Sequence, residues 1–325
     1  MNTPDYTWNY DSLETRLYIQ KPANEYPCSF EVYLFNTAKH QNTQTLQGYH
    51  TFYLIRLPYP EAIASISLTE VSEKHFASSA KAPFGGIQCH PGCQMQELIF
   101  FLSCVEKWMQ QNSAKDLLIK TAPVCYNPTL NQILHRIYLM NAYQSIERIN
   151  HHIEISSIDF SVRIKKSESR RLNKCKQAGF RINLDKTSPD REIFKFISDS
   201  FSSKNYKLSI SEEKFEVLAK TFPEEFLVFT AKDEHQLIAV CVTVRVSKNI
   251  LYLFIQTDLL SYRKFSPMVL LYEQIYNYCQ KEGIKTMDLG TSTDHNGVIK
   301  PGLMCFKENM GGVKSLKISY QKAIM

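Results

Sequence analysis

The stretch that most constrains how this chain can fold is "EFLVFTAKDEHQLIAVCVTVRVSKNILYLFIQTDLL", Glu225–Leu260. Three runs rich in β-branched and aromatic residues are separated by short polar breaks, the pattern of an antiparallel meander. Pro267 then opens "PMVLLYEQIYNYCQKEG", in which Met268, Leu271, Tyr272, Ile275 and Cys279 share one helical face and Gly283 marks the stop. Ser266 reads as the N-cap, with proline at the first helical position. "IKTMDLG" (Ile284–Gly290) follows as a short strand. A strand–helix–strand crossover favours placing it parallel to the last strand of the meander, so the sheet is mixed. "VKSLKISY" (Val313–Tyr320) alternates apolar and polar residues and predicts a final strand.

The same order occurs once before. "FYLIRLPYPEAIASISLTEV" is β-rich, "QELIFFLSCVEKWMQQNSAKDLLIKTAP" is an amphipathic helix, a polar turn and a strand, and "PTLNQILHRIYLMNA" with "ERINHHIEIS" adds a helix and a strand. Residue identity between the halves is weak, but the element order is shared, which predicts a duplicated mixed α/β (α+β) fold. The 325 residues suffice for two such domains, each with its own core. The division falls near Ile158 to Arg163, giving domains at 1–160 and 161–325.

Composition removes several classes. A net charge of +6 is mild for this length and by itself does not indicate nucleic-acid binding. Nine cysteines without a regular framework fit a reducing compartment. The opening "MNTPDYTWNYDSLETRLYIQ" lacks the apolar core of a signal peptide, and "LIFFLSCV" is far short of a membrane span. These features place the protein in the cytoplasm. Cys89, His90 and Cys93 in "FGGIQCHPGC" lack a second ligand pair at a characteristic spacing, so no metal site is expected. His151 and His152 alternate across a strand and point to opposite faces.

A meander, a helix after its last strand, a parallel strand and a crossing final strand form the order of the GNAT acyltransferase fold. The duplication, together with the tail "MDLGTSTDHNGVIKPGLMCFKENMGG", resembles the FemAB-like acyltransferases. The tail of that family has a strand ending in Asp-x-Gly, then a loop, then Phe-Lys-x-x-aromatic-Gly. The matching positions are Asp288, Gly290, Phe306, Lys307 and Gly311, with Met310 where an aromatic residue is usual. The resemblance covers roughly Ser161 to Met325 by residues and the first half by pattern. It implies tandem GNAT-like domains and N-acyl transfer from an activated donor to an amine such as an amino sugar, a peptide amine or a cell-envelope precursor. The donor expected is acyl-CoA, acetyl-CoA foremost, with no metal. A branch of the family uses aminoacyl-tRNA instead, the one case that would involve nucleic acid, and a third reading is a catalytically silent binding protein.

The resemblance also orders the candidate residues. The donor loop should be "LLSYRKFSP", where a helix N-terminus favours phosphate and Arg263 and Lys264 add charge beside Ser266, although this loop lacks the glycines usual in GNAT loops. Phe254, Ile255 and Gln256, just before it, sit where relatives bind the donor's amide arm and stabilise the oxyanion through backbone N–H. Lys307 would contact substrate or oxyanion, and Asp288, Glu273, Asp294 or His295 would serve as base, since the attacking amine must be neutral. Arg170 and Lys174, on the basic run "RIKKSESRRLNKCKQAGFR", Phe84 and Gly85 in the first half, and Asp294 and His295 in the tail loop are assigned to the acceptor. Catalysis is expected in the second half, with acceptor recognition shared by the first.

Overall fold

A computed structural model of the chain describes residues 6–10, 13–20, 26–44, 48–57, 61–185, 191–293 and 297–324. The chain divides into two compact units, residues 1–148 with 316–325, and residues 149–315. Each is a mixed, mostly antiparallel sheet flanked by helices.

The first unit is built from β1 (Tyr6–Tyr10), β2 (Leu13–Gln20), α1 (Ala38–Gln41), β3 (His50–Arg56), β4 (Ala62–Ser72), β5 (His75–Ala77), β6 (Gln88–Cys89), α2 (Met95–Gln111), β7 (Asp116–Lys120), α3 (Pro128–Met140) and the start of β8 (Gln144–Glu154). Its strands run β1-β2-β3-β4-β5-β7. β5 and β7 are parallel, over His75–Ala77 with Asp116–Leu118. Residues 319–323 pair antiparallel with the free side of β7. Phe52, Leu54, Leu98, Phe101, Leu117, Ile119 and Ile137 fill the core, as the 3.6 and 2.0 periods of their elements require.

The second unit comprises the end of β8, α4 (Phe160–Arg163), α5 (Lys166–Gln177), β9 (Arg181–Asp185), α6 (Arg191–Ser203), α7 (Glu212–Thr221), β10 (Phe226–Asp233), β11 (Gln236–Ser247), β12 (Ile250–Asp258), α8 (Met268–Lys281), β13 (Thr286–Thr291), α9 (Pro301–Asn309) and the start of β14 (Val313–Ala323). The expected meander is β10-β11-β12, with β9 at its edge. β13 lies parallel to β12, as the crossover through α8 predicts. Residues 150–154 of β8 close the sheet antiparallel to β13. The predicted inward face of α8 is buried throughout, with Leu271, Tyr272, Ile275 and Cys279 fully covered.

The compact units do not follow a linear division at 160/161. The strand expected to end the first half completes its ladder with β13, and the chain's last strand completes its ladder with β7. Periodicity reports which face of a strand is buried, and not which neighbour it pairs with. Ser266 is also not the N-cap: it has φ +58°, and α8 starts after Pro267 without a side-chain cap.

Candidate functional site

The parallel ladder between β12 and β13 is three residues long, Ile250–Tyr252 against Thr286–Asp288. β12 continues to Asp258 and β13 to Thr291, so both strands outrun their pairing. The split begins beside an irregularity in β12: Val242 faces Ile255 and Thr243 faces Leu253, leaving Phe254 as an extra residue. A bulge of this kind re-aims every side chain beyond it. Leu251 and Leu253 pack into the core under α8. Past the bulge it is Gln256 that reaches α8, accepting a hydrogen bond from the Tyr272 hydroxyl at 2.6 Å, while Thr257 turns to Ser200 of α6 at 2.6 Å. Phe306 of α9 packs edge-on against Tyr272, with ring centroids 5.7 Å apart.

The β13 side of the split is fixed by buried polar groups. Asp288 is 1% exposed, and its Oδ1 accepts from Asn150 Nδ2 at 2.8 Å and from the Gly290 amide at 2.9 Å. Gly290 has φ +75°, and a Cβ there would lie 3.3 Å from the Tyr252 ring, so a side chain would be both strained and crowded. Lys307 lies on α9 and is 2% exposed. Its Nζ donates to Gly290 O at 2.9 Å and Thr291 O at 2.8 Å. Burial lowers its pKa to about 8, with the Asp288 charge opposing. This geometry makes Lys307 a clamp on the end of β13; it does not reach an open surface.

The two histidines of β8 lie on opposite faces, as the strand period requires. His151 Nδ1 is 3.1 Å from Ser292 Oγ, and its Nε2 is 3.8 Å from Glu308. Burial and the Lys307 charge lower its pKa. His152 pairs in register with Asp288. Burial holds its pKa below the ordinary imidazole value against the pull of Asp288 and Glu154.

The loop expected to cradle a pyrophosphate curls onto itself. The amides of Tyr262, Arg263, Phe265 and Ser266 donate to Leu259, Leu260 and Tyr262 carbonyls, and those of Val269, Leu270 and Leu271 to Ser266 and Pro267. Most of the backbone donors that would wrap a phosphate are therefore engaged within the loop. What the loop offers is side-chain charge. Arg263 and Lys264 are exposed, and α5 brings Lys174 to the same place. Lys174 Nζ and Lys264 Nζ lie 5.0 and 5.1 Å from the Phe265 ring, within cation–π range. Cys175 Sγ anchors the helix to the loop by donating to Phe265 O. Lys166 and Arg170 continue the exposed row at four-residue spacing, whereas Arg171 and Lys176 are paired with Glu168 and Glu273.

Several expected site residues land elsewhere. Glu273, read as a base, faces α5, where its Oε1 accepts from Lys176 at 2.8 Å. Phe84, assigned to the acceptor, is 1% exposed and packs edge-on with Tyr33, Phe35 and Tyr126 in the first unit's interior. Gly85 is a packing requirement: a Cβ there would stand 2.0 Å from Ser78 O. Asp294 and His295 lie outside the described residues. Asn150, His152 and Tyr252 carry no motif in the sequence; the one signal available was the parity of Asn150 and His152 on β8, which puts them on one face.

A strand split beside a bulge, after a meander and before a crossover helix, is an arrangement that comparison with known proteins can test. Residues 163–296 match the family model described as an acetyltransferase (GNAT) domain. That match spans most of the second unit, whose fold is GNAT-like. Its β12 and β13 are the strands that part within this domain. Over 89% of its length the chain is similar in fold to FemX, with a TM-score of 0.65 and 13% identity, covering 91% of that chain. It is shared by the C-terminal domain of a putative lysylphosphatidylglycerol synthetase from Agrobacterium fabrum, with a TM-score of 0.56, 8% identity and 80% of each chain covered. A tandem GNAT protein from the clavulanic acid biosynthesis pathway has a TM-score of 0.52 and 8% identity over 86% and 83% of the two chains. At such identities the likeness is one of fold. No curated protein sequence matches the chain.

Proposed function

We propose that the GNAT domain transfers an acyl group from an activated, polyanion-borne donor to an amine. The observation that carries this reading is the split between β12 and β13, which starts at Tyr252 and Asp288 beside the unpaired Phe254. Backbone groups released from pairing there can hold the donor's extended arm and meet the oxyanion that forms when the amine adds to the acyl carbon. Holding both substrates in one geometry supplies much of the acceleration. In the transfer, a C–N bond forms, the bond from the acyl carbon to its ester oxygen or thioester sulfur breaks, and the amine gives up a proton.

Two donors fit the chemistry, each favoured by a specific observation. Aminoacyl-tRNA is favoured by the self-engaged loop and by the exposed row Lys166, Arg170 and Lys174 of α5 with Lys264, the last two flanking the Phe265 ring, which offers point charges and an aromatic face in place of a backbone cradle. The match to an acetyltransferase domain supports acyl-CoA. The acceptor class that fits the FemX-like fold is an amine on a cell-envelope precursor, handled in the cytoplasm. Among the described residues no helix is long and apolar enough to cross a membrane.

Thermal-shift titration with acetyl-CoA, longer acyl-CoA species and alanyl-tRNA tests the reading. Stabilisation by one donor class identifies it. If neither class binds, the transferase reading fails and the silent binding protein takes its place.

A further inference from the structure

One row of side chains crosses the second unit's sheet at the last rung before the split. Tyr252 pairs with Asp288, and Asp288 pairs with His152. Their neighbours Leu251, Met287 and Ile153 fill the core under α8, so the row lies on the opposite face of the sheet. His152 is 7% exposed, and its Nδ1 has no hydrogen-bond partner. An unmade hydrogen bond on a buried polar atom is costly, so a folded protein that keeps one has room there for a partner such as a water or a ligand.

We propose that His152 accepts the proton released by the attacking amine, an inference that rests on the acyl-transfer reading above. The groups facing the ring are Asp288 from β13, Glu154 from its own strand, with Oε1 4.0 Å from Nε2, and the Val313 backbone. Burial outweighs the two carboxylates and keeps the ring neutral near pH 7, when one ring nitrogen is an acceptor. Asp294 and His295 lie outside the described residues, and three other ionisable groups named for the transfer are engaged. Asp288 Oδ1 already accepts two hydrogen bonds, Glu273 is paired with Lys176 on α5, and Lys307 clamps Gly290 and Thr291. His151 faces the other way, toward Ser292 and Glu308. In the proposed step the amine nitrogen bonds to the acyl carbon, and the leaving oxygen or sulfur departs with its electron pair. The nitrogen's proton passes to His152 Nδ1, directly or through one water, and then to the leaving group or to solvent.

The test uses the full chain with whichever donor stabilises it, and follows single-turnover loss of that donor between pH 5 and 9. Glucosamine, glycinamide, lysine and water serve as nucleophiles. The wild type should gain rate as pH rises through a limb below 6.5. His152→Gln should lose that limb and about 100-fold in rate, the scale of general-base catalysis, with donor affinity unchanged. His152→Ala should recover rate on addition of imidazole. A His152→Gln protein that keeps both rate and limb overturns the proposal while the transferase reading stands, as does a folded His152→Ala protein that ignores imidazole. If His152→Ala does not fold, the pH profile of His152→Gln decides. A wild type that binds no donor, or binds one without turnover, overturns the transferase reading and this inference with it.

Discussion

The two units contain the same parallel step, and they treat it oppositely. In the first, β5 and β7 pair over His75–Ala77 and Asp116–Leu118; in the second, β12 and β13 pair over Ile250–Tyr252 and Thr286–Asp288. Beyond the first ladder the chain fills its own gap. The Ser78 amide donates to Leu118 O, Ser78 Oγ accepts from the Lys120 amide, and the Gly85 amide donates to Lys120 O. Lys120 Nζ ties down Ser79 O and Ala80 O. Beyond the second ladder, β13 is held from its other side by β8 and by Lys307, and β12 departs through the bulge at Phe254. The crossover helices differ in the same sense. Glu97 closes the start of α2, accepting from the Gln94 amide and from Arg56, while α8 starts without any side-chain cap. One topology therefore yields a closed step in the first unit and a parted one in the second.

The sharpest way to break this contrast is at its glycines. Gly85→Ala places a methyl group against Ser78 O and should destabilise the protein by about 4 kcal/mol, the upper range for a point change, read as a fall in thermal midpoint. Gly290→Ala, strained by its backbone angle, should cost only about 1–2 kcal/mol yet remove transfer. If Gly85→Ala proves as stable as the wild type, the first unit is not closed as described. Donor stoichiometry comes next: calorimetric titration should give one site per chain, and two sites would end the contrast. Replacing Arg263 and Lys264 by glutamate should weaken donor binding at least tenfold and lower its salt dependence by about one unit of slope per lost phosphate contact.

Lys307 gives a smaller, pH-dependent effect. Its folded-state pKa of about 8 lies below the ordinary 10.5, so the unfolded chain holds more protons between those values. Stability contributed by this group should therefore rise with pH across that window, and Lys307→Met should flatten the rise in urea titrations. The same variant should slow transfer about tenfold through loss of the strand clamp, with donor affinity little changed. The smallest effect is expected from Glu97→Gln, which loosens the start of α2 at about 1–2 kcal/mol and leaves donor binding unaltered.

The sequence by itself determined the meander, the crossover helix with its buried face, the parallel strand after it and the doubling of that order. All of these follow from local periodicity, and each recurs in the structure. It also pointed to the tail, where Asp288, Gly290 and Lys307 do converge within a few ångströms. Tertiary structure alone decided what they do there. Whether Lys307 faces solvent or clamps two carbonyls depends on α9 packing onto the end of β13, a contact between segments with no shared period. Phe84 resembled a loop residue until Tyr33, Phe35 and Tyr126 enclosed it. His152 acquired its place beside Asp288 from a strand pairing that joins positions more than a hundred residues apart. Local pattern records which face a side chain takes; only long-range pairing records what that face meets.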